Sequence, residues 1–201
     1  MCVIIGSVKH TIRGNCMLFR KKILTDTIKE IENEVEQLNR FWVCFTGHRP
    51  QKLPWGFNEN DERCQKMRIR AIIEIEDAIQ KGYHTFLCGM ALGFDMICAE
   101  IVLKLKKKYP HIKLIGAIPC KNQCERWNSI QKTRYQKILK QLDKIRCIYD
   151  HYEDGCMQER NQYMINNSSL VIALFNGKNG GTKTTIDYAK SLGKEVVIIT
   201  P

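Results

Sequence analysis

No apolar run in this 201-residue chain approaches the roughly 20 residues that a membrane-spanning helix needs, so insertion into a bilayer is not expected. No Cys-x-x-Cys pair and no His pair at zinc-finger spacing occurs among the ten cysteines, and no metal site is expected, although Cys120, Cys124 and Cys156 raise the question. No Gly-Lys-Ser/Thr closes a four-residue gap after glycine, which rules out a P-loop. Internal repeats and low-complexity stretches are missing as well. The secretory order is also absent, because Lys9, Arg13, Arg20, Lys21 and Lys22 follow the mildly apolar Met1 to Ser7 instead of preceding a longer apolar stretch. Cys44, Cys88, Cys98 and Cys147 fall inside predicted core elements, where cysteine serves as a small hydrophobe in a reducing compartment. A cytoplasmic protein is the expectation.

Acidic residues are scarce in one place. Residues 101–150 hold 13 Lys and Arg against 3 Asp and Glu, while the remainder of the chain is nearly neutral, out of a net charge of +11. A local excess attracts polyanions or a phosphorylated ligand. It fits equally well two solvated helix faces, Lys104 to Lys108 and Lys132 to Lys144. No aromatic series is interleaved with these cations, which weakens a single-stranded nucleic-acid reading of the segment.

The apolar pattern alternates short runs with helical stripes. Ile28, Ile31, Val35 and Leu38 mark an amphipathic helix within residues 1–40, a surface for packing on the domain or on a second subunit in a homo-oligomer. From residue 41 onward, strands are expected at 41–46, 84–88, 112–118, 145–149, 170–175 and 195–200. Helices are expected at 61–81, 93–109, 130–142, 156–167 and 182–192; Met67, Ala71, Ile72, Ile75, Ala78 and Ile79 form the stripe of the first. Such alternation requires parallel crossovers, so residues 41–201 should form an α/β, doubly wound, mostly parallel sheet of six strands with helices on both faces.

Four turns sit where strands end and helices begin, and in an open α/β sheet such turns meet in one crevice. Thr46-Gly47-His48-Arg49-Pro50 supplies a guanidinium fork in Arg49; His48 is either a proton carrier or a hydrogen-bonded neighbour of the turn. Gly89-Met90-Ala91-Leu92-Gly93-Phe94-Asp95 resembles a dinucleotide fingerprint without its spacing, and Asp95 either caps the helix or accepts from sugar hydroxyls. Glu159-Arg160-Asn161 adds a second guanidinium. Gly177 to Thr185 opens a helix with free amides and the hydroxyls of Thr182, Thr184 and Thr185, an anion site unless its glycines serve only a tight turn. Trp127, beside Arg126, stacks on a base or packs.

Taken in order, Thr46-Gly47-His48-Arg49-Pro50, Gly89 to Asp95, Ile118-Pro119-Cys120 with Gln123 and Trp127, Arg160-Asn161-Gln162-Tyr163-Met164, and Gly180-Gly181-Thr182 with Thr185 and Tyr188-Ala189 resemble the YpsA-like family of the SLOG superfamily over about residues 41–201. The order also resembles the DNA-processing protein A family, which places Gly89, Gly93, Asp95, Arg160, Asn161, Gly181 and Thr182 on a shared Rossmann-like pocket. The resemblance implies a nucleotide, a nucleotide-derived signal of the ADP-ribose or NAD-related type, or single-stranded DNA as ligand, with no cofactor required. In the related LOG-type phosphoribohydrolases a catalytic Glu stands three residues after the Thr of the last turn; Thr185 occupies that place here. Binding therefore outranks cleavage. The expected ligand set is Thr46, Gly47, His48, Arg49, Gly89, Met90, Gly93, Asp95, Arg160, Asn161, Gly180, Gly181, Thr182 and Thr185, with Asp95, Glu159 and His48 as the candidates for acid–base work should a nucleotide N-glycosidic bond be cleaved.

Overall fold

In the computed structural model the described residues are Leu24, Thr25, 27–30, Glu34, Gln37, Asn39 and all of 40–201. The chain divides between Asn39 and Arg40 into two units. In the first, Leu24, Thr25, residues 27–30, Glu34, Gln37 and Asn39 are helical. Ile28 is exposed, and Ile31, Val35 and Leu38 of the apolar stripe lie outside the described residues.

The second unit runs β1 (Trp42–Gly47), a short 3-10 turn (Pro50–Lys52), α1 (Glu62–Gln80), β2 (Thr85–Cys88), α2 (Phe94–Leu105), β3 (Lys113–Cys120), α3 (Ser129–Leu139), β4 (Lys144–Tyr149), α4 (Cys156–Asn166), β5 (Leu170–Leu174), α5 (Gly181–Ser191) and β6 (Glu195–Ile199). All neighbouring strands are parallel, in the order β4-β3-β2-β1-β5-β6. The chain steps outward from β1 to β4, then returns to the other side of β1 with β5. That reversal opens the crevice at the carboxyl ends of β1 and β5.

Period-two alternation divides the sheet between two cores. Val43 and Phe45 of β1 join Phe86, Leu114 and Ile172 beneath α1, α2 and α3, while Cys44 joins Leu87, Ile115, Val171 and the helical Met164, Ile165 and Ala189 on the opposite face. Phe45 stacks on Phe86 and meets Phe94 edge-on, with centroids 6.0 and 6.5 Å apart. β2 and β5 are buried at every position, as strands covered on both faces must be. β4 lies at an edge and exposes Lys144 and Arg146, charges of the kind that discourage pairing with another sheet, on either side of an exposed Ile145.

Several element ends differ from the sequence expectation. β3 does not stop at Ile118 but continues through Pro119 to Cys120. Beyond Gly116 it pairs with β4 alone, so one side of the strand makes no demand on the missing proline N–H. Helix α2 ends at Leu105 and α3 at Leu139, each about a turn early. Within α1 the buried stripe is Cys64, Met67, Ala71, Ile75, Ala78 and Ile79, while Ile72 is turned outward with Ile69 and Ile73.

Candidate functional site

The end of β1 is pressed onto the start of α2. A Cβ on Gly47 would stand 2.6 Å from Phe94 Cβ, so only glycine lets the two segments approach this closely. The next residue, His48, is 3% exposed and ties three segments together. Its Nε2 is 2.7 Å from Asn176 Oδ1 and its Nδ1 is 3.3 Å from Thr182 Oγ1. Asn176 Oδ1 also accepts from the Lys178 amide and its Nδ2 donates to the Lys52 carbonyl, which orients the amide. The Asn176 backbone amide also points at Nε2, at 3.3 Å, so both ring nitrogens are engaged by neighbouring polar groups. Burial, reinforced by the positive charge of Lys52, holds its pKa below the usual 6.5 against the opposing hydrogen bond to Asn176.

The turn after β2 is equally constrained. Met90, fully buried, holds φ at +55°, and Gly93 at +97° brings the chain into α2. Asp95, 6% exposed, accepts from the Ala91 amide at 3.3 Å. From α4, Arg160 reaches beneath this turn with only 4% exposure: Nη1 donates to the Gly89 carbonyl, approaches the Ala117 carbonyl at 3.5 Å and lies 3.8 Å from Asp95 Oδ2. Any Cβ on Gly89 would fall on that guanidinium. Burial pushes the Asp95 carboxyl up, while Arg160 and the Ala91 amide pull it back. The Arg160 Nε is buried without a partner.

These segments enclose a cavity of about 290 Å³. Of the expected residues, Thr46, Gly47, His48, Arg49, Asp95, Arg160, Asn161, Gly181 and Thr182 line it; Phe45, Gln51, Lys52, Ala91, Met157 and Met164 join them. Gly89, Met90, Gly93, Gly180 and Thr185 do not. Gly89 accepts from Arg160 through its carbonyl, Gly93 packs against the His48 carbonyl and Pro50, Gly180 abuts Lys52, and Thr185 donates to the Gly181 carbonyl at 2.8 Å while accepting from Asn161 at 3.1 Å. Glu159 also stands outside. It is exposed and its carboxylate accepts from Tyr149 at 2.6 Å, leaving Asp95 as the carboxylate that lines the cavity.

Two further recesses adjoin the cavity. One of about 540 Å³ shares Arg49, Gln51, Ala91 and Met157 with it and brings in Phe57, Trp127 and Tyr152. The other, about 990 Å³, shares Gln51 and Lys52 and includes Phe175, Asn176 and Lys178. Lys52 could not have been singled out from the sequence, because a 3-10 turn folds it back opposite Gly180. Asn176 carried a visible signal, since it directly precedes the Gly177 turn. Among the described residues no group of His, Cys, Asp or Glu could hold a metal ion, the cysteines are unpaired, and no helix is long and apolar enough to cross a membrane.

A doubly wound parallel sheet with a cavity at its strand-order reversal defines a Rossmann-like protein. The model of the YspA SLOG family (YpsA) matches residues 43–196, and the chain belongs to that family. It is 34% identical over 138 residues to the "Uncharacterized SPbeta prophage-derived protein YoqJ" of Bacillus subtilis (strain 168), covering 62% of this chain and 81% of that one. A UPF0398 protein of Brevibacillus brevis is 36% identical over 147 residues, covering 72% and 77%. Among solved structures, DNA processing protein A of Streptococcus pneumoniae aligns with a TM-score of 0.57 at 16% identity over 81% of this chain, which spans about half (51%) of that protein. DNA processing protein A of Helicobacter pylori, whose structure was described for its single-stranded DNA binding mode, aligns at 0.55 and 19% identity, with 79% of this chain and 64% of that one covered. Those two likenesses concern the fold.

Proposed function

We propose that the chain is a sensor or regulatory protein that binds a nucleotide or nucleotide-derived ligand, of the ADP-ribose or NAD-related type, with phosphate in the central cavity. The observation that carries this reading is Arg160, a buried guanidinium bordering the cavity whose Nε has no partner. A buried donor without an acceptor is costly, and an anion relieves it. Arg49 and Lys52 add two more cations to a lining that contains one carboxylate, Asp95. Gly181 and Thr182, the first residues of α5, also border the cavity, and a helix start of this kind favours phosphate through its free amides. Calorimetry of the full chain with AMP, ADP, NAD and ADP-ribose tests the proposal. Saturable binding of at least one is expected; a folded sample that binds none of them rejects it.

A second reading rests on a different surface. Lys137, Lys140, Lys144 and Arg146 are exposed along α3 and β4, and one of the proteins of similar fold was described for single-stranded DNA binding. Of the 13 cations in 101–150, however, Lys106, Lys108, Lys121 and Arg134 are spent in ion pairs with Asp143, Glu76, Asp150, and Glu59 with Glu100. Oligonucleotide affinity that falls steeply with salt would favour this reading over the cavity.

A further inference from the structure

The 540 Å³ recess lined by Phe57, Trp127 and Tyr152 is not explained by the phosphate site. Phe57 is 56% exposed and Tyr152 59% exposed, and they reach the recess from loops far apart in the sequence, one after the 3-10 turn and one between β4 and α4. Trp127, from the loop before α3, completes the aromatic lining and is braced edge-on by Tyr135, with centroids 5.2 Å apart. Two aromatics open to solvent, facing a recess with a third that is half-buried against the core, form the kind of surface that receives a flat apolar ring.

Continuity with the central cavity identifies the ring. Arg49 and Met157 line both spaces, so a ligand whose phosphate reaches the cavity places its other end among these aromatics. Gln123 holds the two compartments in register: its Nε2 donates to the Met90 carbonyl at 2.6 Å and approaches, at 3.5 Å, the Gly89 carbonyl that also receives Arg160. The loop that carries Trp127 is thus tied to the turn that receives Arg160, which lowers the ordering cost of binding on that side of the recess.

We propose that this recess is a nucleobase subsite, in which the base stacks among Phe57, Trp127 and Tyr152 while the phosphate lies in the central cavity. The assignment rests on the nucleotide reading above and narrows it to ligands with an aromatic heterocycle joined through a sugar to phosphate. Calorimetry on the full chain comparing AMP with ribose 5-phosphate separates the two levels of the claim. Stacking makes AMP the tighter ligand by about tenfold or more. Tyr152→Ala and Phe57→Ala, both on exposed loops, each weaken AMP severalfold, so that AMP approaches ribose 5-phosphate, and AMP quenches tryptophan fluorescence in the wild type but not in Trp127→Phe. Equal affinity for the two probes, or variants that weaken both alike, overturns the subsite and leaves the phosphate site standing. If neither probe binds, the subsite falls, and the phosphate site falls with it when ADP, NAD and ADP-ribose fail to bind as well.

Discussion

Helices α1 and α3 begin differently from α2, α4 and α5. Asp61 caps α1 by accepting from the Arg63 amide at 2.9 Å, and Asn128 closes a capping box with Gln131 at the start of α3. The other three start from Gly93, Gly155 and Gly180, each at positive φ and without a capping side chain. A capping side chain satisfies free amides from within the protein and so occupies the place an external anion would take. The glycine-led ends introduce Asp95, Arg160 with Asn161, and Gly181 with Thr182 to the cavity, whereas neither α1 nor α3 begins there. Helix starts in this fold therefore come in two kinds, those completed by the chain and those that border the crevice.

The largest break in that pattern comes from Arg160→Met. Removing the guanidinium strands a buried Asp95, with an expected loss of about 3 kcal/mol in denaturant unfolding and loss of nucleotide binding by calorimetry. The double variant Arg160→Met with Asp95→Asn should recover part of the stability without recovering binding, which separates the fold's use of the pair from the ligand's.

A smaller and more direct comparison sets one helix start against another. Asn128→Ala, at a helix start beside the recess and away from the central cavity, should cost about 1 kcal/mol and leave the affinity for ribose 5-phosphate unchanged. Gly181→Ala should do the opposite. A Cβ there meets nothing within 4 Å, so the helix gains about 0.5–1 kcal/mol from reduced unfolded-state freedom, while the methyl group intrudes where a phosphate would approach the backbone. Equal affinity in wild type and Gly181→Ala would show that the glycine is not kept for a ligand.

The smallest effect concerns pH. His48, near the start of α5, has its pKa held below 6.5, so the unfolded chain binds its proton first as pH falls. The neutral imidazole's contribution is complete above pH 6.5 and is lost as pH drops through that value toward the lower folded pKa. Thermal unfolding between pH 7.5 and 5.5 should show this decline, and His48→Gln should flatten it. An unchanged slope in the variant would assign the decline to other groups.

Much of this was visible in the chain itself. Alternating apolar runs and stripes announced six strands and five later helices, because burial on both faces of a parallel sheet leaves little freedom in composition. The glycine turns announced the strand ends that border the cavity. The resemblance of the ordered motifs pointed to the family that the comparison then showed. Less visible was which side chain of a turn faces inward. Glu159 and Arg160 are neighbours, yet a helix turns about 100° per residue. One meets Tyr149 outside the cavity; the other is buried beneath Gly89.

The local pattern of apolar residues and glycines thus determined the elements, their parallel pairing class and the strand ends that border the cavity. These follow from steric and burial rules that act over a few residues. Tertiary structure alone decided that β5 returns beside β1, that Lys52 and Asn176 meet His48 at the cavity, and that Phe57, Trp127 and Tyr152 line one recess. Those juxtapositions join segments up to more than a hundred residues apart, and they are set by the packing of the whole sheet rather than by any spacing along the chain.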